Sequence, residues 1–315
     1  MKIVILDAET LGEDIDLTFL NEIGETIIYK STPEEMVAQR INDANVVILN
    51  KIKLYKNNLA DANNLKLICI TATGFDNVDI DYAKQHKIAV CNVKGYSTNS
   101  VAQLTVSLAL SLLCHISEYD LYCKSGKYTA AGVQNCLTPI FYELCGKTWG
   151  LYGYGNIGKK VAQIAEAFGC KIIVNKQTPD TTVECVTLEE LFERSDVISL
   201  HTPLNENTKH SVNEKIISKM KNSAILINTA RGAIVDEEAI TNAIEKKQIA
   251  GFATDVYSSE PISKESCYNR LCGFSNVIFT PHMAWGAYET RVRLLNEVAE
   301  NIKAFYKGEK RNRVD

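Results

Sequence analysis

A chain of 315 residues has room for two domains. Hydrophobic residues make up 46% and charged residues 23%, the balance of an ordinary globular protein rather than a disordered one. The 34 basic and 38 acidic residues give a net charge of -4, without the basic excess by which a nucleic-acid-binding surface usually shows. No run of about 18 apolar residues is present to predict a membrane span.

The chain opens on "MKIVILDAE", a strand-like run ending in acids. It lacks the apolar stretch and small-residue cleavage site of a signal peptide, so a cytoplasmic protein is expected. Ten cysteines lie singly, many within apolar runs such as those holding Cys69, Cys91, Cys114 and Cys170. Without a CxxC pair they are expected to be reduced and mostly buried, and no metal site is predicted.

Short β-rich runs at 2–7, 26–30, 46–50, 65–70 and 88–92 alternate with helical stretches. One of these covers 33–42, where Pro33 suits a first helical turn. Strands alternating with helices predict a parallel sheet covered on both faces. Residues 100–122 then form one long helical pattern that is apolar on most sides. Such a helix has to be buried, and it is expected to link two domains and to pack against a second subunit.

A second alternating series follows, with strands at 148–152, 171–175, 196–200, 224–228, 250–255 and 276–280. Six strands are what a full dinucleotide-binding sheet needs. Gly169 is read as the helix stop before the second of them. The tail, 288–306, reads as one amphipathic helix with Val292, Leu295, Val298, Ala299, Ile302 and Phe305 on its apolar face. It is expected to return to the first domain.

"TWGLYGYGNIGKKVAQIAEAFG" is strand, turn, helix. In this reading Gly153 permits the tight turn, Gly155 lets the backbone approach a pyrophosphate, and Gly158 lets helix and strand pack closely. The helix N-terminus offers unpaired N–H groups and partial positive charge to the phosphates. An acid near the end of the second strand usually binds the ribose hydroxyls. Here "KIIVNKQTPD" puts Lys176 there, and the nearest acid, Asp180, lies beyond Pro179. A cation suits a 2′-phosphate, so NADP(H) is favoured, with NAD(H) left open.

Three segments follow the last three strands: "INTARG", "TDVYSSEP" and "TPHMAW". They carry Arg231, Glu260 and His282. Ligands of open parallel sheets bind outside the carboxyl ends of the strands. Reduction of a 2-oxo acid needs a hydride donor, a proton donor and a carboxylate anchor. Arg231 has the planar fork that grips a carboxylate and can polarise a carbonyl. His282 can give or take the proton. Glu260 beside it would orient the ring and favour its charged form.

With these residues in place, the chain resembles the D-isomer-specific 2-hydroxyacid dehydrogenase family. The pieces that carry the likeness are "ATGFDNVD", "STNSVAQ", "GKTWGLYGYGNIG", "SLHTPL", "ILINTARGAIVDEEAI", "ATDVYSSEP" and "TPHMAW". They run in family order over nearly the whole chain. The resemblance implies a catalytic triad of Arg231, Glu260 and His282. It also implies a substrate carboxylate held by the backbone around Thr73 and Gly74 together with Arg231.

Asn156 and Ile157 are implied at the pyrophosphate, and Thr202, Thr229 with its neighbour Ala230, and Asp255 at the nicotinamide side. The fold implied is α/β, with two doubly wound parallel-sheet domains. A Rossmann cofactor domain (100–285) would be inserted into a flavodoxin-like substrate domain (1–99 and 286–315). A homodimer is implied as well. Lys176 departs from the family's usual acid.

Within the family, "YELCGKTWG" and Trp285 are most similar to glycerate dehydrogenases, also called hydroxypyruvate reductases. Trp285 could wall a small substrate pocket or be a core aromatic. Hydroxypyruvate and glyoxylate are the first expected substrates, and lactate-type or branched 2-oxo acids the alternative. A non-enzymatic NAD(P)-sensing protein and a formate-type dehydrogenase are the rival classes. The latter needs no acid–base pair at a carbonyl.

Overall fold

A strand buried on both faces must find its backbone partners in neighbouring strands and its side-chain partners in helices above and below. The structure, a computed structural model describing residues 1–178 and 181–315, builds two parallel sheets in this way. Pro179 and Asp180, weighed above beside Lys176, lie outside the described residues. The chain divides into two compact units, Met1–Ser97 with Gly286–Asp315, and Thr98–Trp285.

The first unit holds β1 (Lys2–Ile5), β2 (Glu25–Ile28), β3 (Val46–Leu49), β4 (Leu67–Ile70) and β5 (Ala89–Cys91), with helices α1 (Val37–Ile41), α2 (Lys56–Leu59) and α3 (Ile80–Gln85). The strand order is β2-β1-β3-β4-β5, all parallel, which is the flavodoxin-like order. Strands β3 and β4 are buried at every residue, and Val4, Val47, Leu49, Ile68 and Val90 belong to one core.

The second unit begins with α4 (Thr98–Cys114), α5 (Ile116–Lys124) and α6 (Lys127–Ala131). Then come β6 (Thr148–Tyr152), α7 (Asn156–Ala167), β7 (Lys171–Asn175), β8 (Glu184–Cys185), α8 (Leu188–Arg194), β9 (Val197–Leu200), α9 (Glu214–Ile217), β10 (Ile225–Asn228), α10 (Glu237–Glu245), β11 (Gly251–Thr254) and β12 (Val277–Phe279). The order is β12-β11-β10-β9-β6-β7-β8, a Rossmann sheet with one further strand. Each face has its own core. Ile198, Leu226 and Phe252 point to one, and Trp149, Leu151, Ile227 and Ala253 to the other. Alternation along β10 and β11 divides the apolar residues between them.

The last helix, α11 (Tyr288–Tyr306), packs against β4 of the first unit. The tail beyond it pairs antiparallel with β5: Val314 N–H donates to Val90 O at 3.0 Å and Asn92 N–H to Asn312 O at 3.1 Å. The tail thereby covers what would be an open sheet edge.

Five expectations change. The cysteines, expected to be mostly buried, are buried only at Cys69, Cys91 and Cys170, and the other seven keep part or much of their exposure. The helix expected over 100–122 is two helices, bent by 58° at His115, which sits at φ 51° in the left-handed region. The apolar period carries no mark of such a break; at the bend His115 Nδ1 lies 2.8 Å from Glu118 Oε1. Pro33 precedes a short 3₁₀ turn (Glu34–Met36) that leads into α1, rather than opening the helix. The sheet has a seventh strand, β8, whose two residues carry no apolar pattern to predict it. On α11 the buried face centres on Leu294, Leu295, Val298 and Ile302, with Val292 and Phe305 at its rim.

Among the described residues no single helix is long and apolar enough to cross a membrane; the bent pair α4 and α5 passes on length and composition only. Helix α4 is mostly a core helix, with Ala102, Thr105, Leu108 and Ala109 buried.

Candidate active site

The glycine turn joins β6 to α7, next to β9, where the strand order reverses. Gly153 has φ +99°, and a Cβ there would lie 2.6 Å from the backbone of His201 and Thr202. A Cβ on Gly158 would lie 2.4 Å from Gly153 O, so the helix can approach the turn only because both are glycine. Gly155 differs from both. A Cβ on it would meet nothing within 4 Å, because it faces open space. It caps the 12-residue α7 in extended conformation, with no side chain bonded to the first turn. The exposed Asn156 and half-buried Ile157 open that helix. A cradle of bare N–H groups with room in front of it suits a pyrophosphate.

Behind the turn, Trp149 Nε1 donates to Ser199 Oγ at 2.9 Å, and His201 Nε2 lies 2.9 Å from the same oxygen. His201 is partly exposed as a residue, yet burial of its ring pushes the imidazole down to about 3. It is therefore neutral at physiological pH. Thr202 follows it, half-buried.

Lys176, at the end of β7, stands 5.9 Å from the centroid of the Tyr154 ring, and Lys159 of α7 stands 5.7 Å from it. Tyr154 lies between the two glycines of the turn, so two ammonium groups gather beside the dinucleotide cradle.

Strands β10, β11 and β12 are neighbours, so the loops after them lie side by side. Glu260 and His282 come together: Nδ1 of the imidazole is 2.6 Å from Oε2 of the carboxylate. Glu260 Oε1 also accepts the backbone N–H of Tyr257 at 3.2 Å. Both side chains keep about a third of their exposure, 28% and 32%. His282 itself is left-handed at φ 52°.

That conformation is held by Asp255, which is wholly buried. Asp255 Oδ1 accepts Thr280 Oγ1 at 2.6 Å and Met283 N–H at 2.9 Å, and Oδ2 accepts Ala284 N–H at 2.8 Å. In this structure Asp255 acts on the histidine loop, whatever it offers a nicotinamide. Tyr257 Oη donates to Thr280 O at 2.7 Å, and burial pushes its phenol up to about 12.

Arg231 is exposed, and its Nη1 donates to Ala230 O at 2.8 Å. The other guanidinium N–H groups point to its capacity for an anion. Gly232 follows for a steric reason: a Cβ there would be 2.0 Å from the Tyr257 carbonyl carbon. Thr229, nearly buried, shares a 2.8 Å hydrogen bond with the hydroxyl of Thr105 on α4.

Thr73 and Gly74 lie after β4 in the first unit. Thr73 Oγ1 donates to Val93 O at 2.9 Å, and Asn92 Nδ2 donates to Thr73 O at 2.7 Å. Trp285 is half-buried at the end of the second unit. Sequence reading passed over Asn228, Thr280, Tyr257 and Thr105. Only Asn228 carried a signal, as an Asn at a strand end before small residues, where Asx turns form.

A Rossmann sheet whose strand ends carry a phosphate cradle, an exposed guanidinium and a carboxylate–imidazole pair defines a nicotinamide-dependent dehydrogenase. Comparison with known proteins specifies the family. A model described as "D-isomer specific 2-hydroxyacid dehydrogenase, NAD binding domain" matches residues 106–284.

The chain is 35% identical to a hydroxypyruvate reductase of Blautia hydrogenotrophica, over 98% of each chain. It is 37% identical to a glycerate dehydrogenase of Methylorubrum extorquens, over 100% of this chain and 99% of that one. Among solved structures it is similar to a D-lactate dehydrogenase of Aquifex aeolicus complexed with NAD and lactic acid. The TM-score is 0.83 at 30% identity, over 100% and 99% of the two chains. An acyclic imino acid reductase in complex with NADPH and D-Arg gives a TM-score of 0.87 at 30% identity over the full length of both. The chain belongs to the D-isomer-specific 2-hydroxyacid dehydrogenase family, and is an oxidoreductase acting on the CH–OH group of its donors.

Proposed function

We propose that this enzyme reduces hydroxypyruvate and glyoxylate to D-glycerate and glycolate, with NADP(H) as the preferred cofactor. The observation that carries the reaction is the 2.6 Å pair of Glu260 and His282, placed one loop from the exposed guanidinium of Arg231. The names of the full-length relatives support the substrates, and Lys176 with Lys159 beside Tyr154 supports the 2′-phosphate.

The fit of a dinucleotide rests on Gly155, whose α-carbon borders open space at an uncapped helix N-terminus. The Gly153–Gly158 turn and the backbone of Asn156 and Ile157 would hold the pyrophosphate. Thr202, Thr229, Ala230 and Asp255 belong to the nicotinamide side. When bound, the reduced nicotinamide supplies the hydride that goes to the carbonyl carbon.

The rest of the chemistry falls to side chains of this chain. Arg231 holds the substrate carboxylate, and the backbone of Thr73 and Gly74 is proposed as substrate-binding on the family resemblance. Arg231 also meets charge growing on the carbonyl oxygen. His282 gives the Nε2 proton to that oxygen, completing the C–H and O–H bonds of the hydroxy acid. Glu260 holds the ring by Nδ1, so that Nε2 faces the substrate. A His–Glu pair is idle in formate-type oxidation, which sets that rival aside.

A homodimer is part of the proposal. Helices α5 and α6 bury no residue of their own, while Ile116, Leu121, Val133, Leu137 and Ile140 are all more than half exposed. Apolar exposure on this scale marks a protein interface. The adjoining groove of about 330 Å³ lies between Leu110, Leu113, Phe141 and Phe168.

Steady-state assays with NADPH and NADH against hydroxypyruvate, glyoxylate, pyruvate and 2-oxoisocaproate test the reading. Highest kcat/KM is expected for hydroxypyruvate or glyoxylate with NADPH. Preference for pyruvate or 2-oxoisocaproate overturns the substrate, preference for NADH overturns the cofactor, and tight cofactor binding without turnover overturns the enzyme. A monomer by light scattering at micromolar concentration overturns the dimer.

A further inference from the structure

Asn228 ends β10 three residues before Arg231 and is wholly buried. Its side chain is used at both ends. Oδ1 accepts the N–H of Ala230 at 3.0 Å, and Nδ2 donates to the carbonyl of Arg231 at 2.9 Å. Its own carbonyl accepts Asp255 N–H at 2.9 Å, which keeps the residue in the sheet while its side chain reaches along the loop. The unit caught between the two side-chain bonds contains the Ala230 carbonyl, and that carbonyl accepts Arg231 Nη1. One continuous set of bonds thus runs from a buried strand end to an exposed guanidinium.

We propose that Asn228 is a positioning residue for the reaction, which sets the direction of the Arg231 guanidinium through the Ala230–Arg231 backbone. The proposal rests on the reading of Arg231 as the carboxylate anchor. An arginine on a loop has several soft torsions, and its fork grips a carboxylate only in one orientation. Fixing the backbone on both sides of its α-carbon sets where the side chain starts, and the Nη1 bond to the fixed Ala230 carbonyl restrains its end before substrate arrives.

The steric stop at Gly232 against Tyr257 limits the loop from the other side. Arg231 O also accepts Ile234 N–H at 3.3 Å, so the loop does not depend on Asn228 for its existence. The fold is therefore expected to outlast the loss of the side chain, and the guanidinium direction is not. A displacement of about 1 Å at a reacting group can cost about 100-fold in rate.

Asn228→Asp is nearly isosteric. It keeps the acceptor for Ala230 N–H and replaces the donor to Arg231 O by a repelling oxygen. In the cofactor-loaded protein, kcat/KM for a reduced 2-oxo acid is expected to fall about 10–100-fold. The dissociation constant of oxamate, an unreactive isostere of a 2-oxo acid, is expected to rise at least about tenfold, while that of NADPH stays within about threefold.

In an Arg231→Ala background the same change is expected to cost less than about threefold, because residues acting through one another do not add. Asn228→Ser, which also loses the paired bonds without adding charge, gives the same pattern if the aspartate variant does not fold. Oxamate binding unchanged in a folded Asn228 variant overturns the proposal. So does an equal loss in the Arg231→Ala background, or a matching loss of NADPH affinity. Wild-type protein that reduces none of the 2-oxo acids overturns the proposed reaction instead, and the oxamate comparison still decides the role of Asn228.

Discussion

Asp7 and Asp255 occupy like positions in the two sheets. Each follows a strand of a parallel sheet, each is buried, and each collects donors from the loop after the neighbouring strand. Asp7 accepts the N–H groups of Asn50, Lys51 and Ile52, at 2.7 Å for Lys51. Asp255 accepts those of Met283 and Ala284 with the hydroxyl of Thr280. The loop that Asp7 ties carries Lys51 and Lys53 but no carboxylate, imidazole or guanidinium. The loop that Asp255 ties carries His282. Burial pushes the Asp7 carboxyl up, against the pull of its three N–H partners, yet no chemistry follows from it. A buried acid that gathers backbone donors is therefore a clamp first. Its functional weight is that of the side chain on the loop it holds.

The largest expected effect tests that last statement. His282→Ala should lower kcat/KM by about 10²–10⁴ with little change in melting temperature. Glu260→Gln should cost less, because an amide oxygen can still hold the ring at Nδ1. A His282→Ala enzyme with full ketone reduction would remove the histidine from the mechanism.

Next come the two clamps. Asp255→Asn should cut turnover about 100-fold, through a histidine loop set at the wrong place. Asp7→Asn should destabilise by about 1–3 kcal/mol, for backbone groups left unpaired, and leave turnover per folded molecule within about twofold. If Asp7→Asn silenced the enzyme at an unchanged melting temperature, the contrast between the two regions would collapse.

The glycines of the turn give a smaller contrast inside the second unit. Gly155→Ala should keep the melting temperature, since its Cβ meets nothing within 4 Å, and weaken cofactor binding by about tenfold or more. Gly158→Ala should do the reverse first, with a loss of stability from the 2.4 Å approach to Gly153 O. Equal affinity in wild type and Gly155→Ala would take the pyrophosphate away from the turn.

The smallest effect is a slope. His201 holds its imidazole at about 3 in the folded chain against 6.5 for an unperturbed histidine. The unfolded chain thus binds the extra proton first. Stability from this group is complete above about pH 6.5 and is lost as pH falls toward 3, by about 1.4 kcal/mol per pH unit once the unfolded histidine is protonated. Melting temperatures from pH 7 to pH 4.5 should fall less steeply in His201→Asn than in wild type. Parallel curves would mean that the ring is solvated.

Much of this was legible in the order of residues. All eleven strands read from apolar runs are present, within one or two residues of their expected ends, because a strand buried on both faces can be little other than Val, Ile, Leu and their like. Tyr288–Tyr306 was legible as a helix for its 3.6-residue period. The glycine spacing and the types Arg231, Glu260 and His282 at successive strand ends pointed to the reaction, because chemistry restricts which side chains can serve. Other features were illegible for equally physical reasons. A two-residue strand has no period, and a left-handed His115 differs from its helical neighbours only in its backbone torsions, which apolar spacing does not record.

What the sequence by itself determined is the series of strands, the turn that can take a phosphate and the three reactive side-chain types. Composition and periodicity express which surfaces must leave water, and that is a property of the chain alone. Only the tertiary structure decided that Glu260 and His282 stand 2.6 Å apart, that Asp255 spends both oxygens on the histidine loop, and that Asn228 binds the backbone beside Arg231. Those are partnerships between strand ends brought side by side by the order of the sheet, and no spacing along the chain encodes a hydrogen bond's direction.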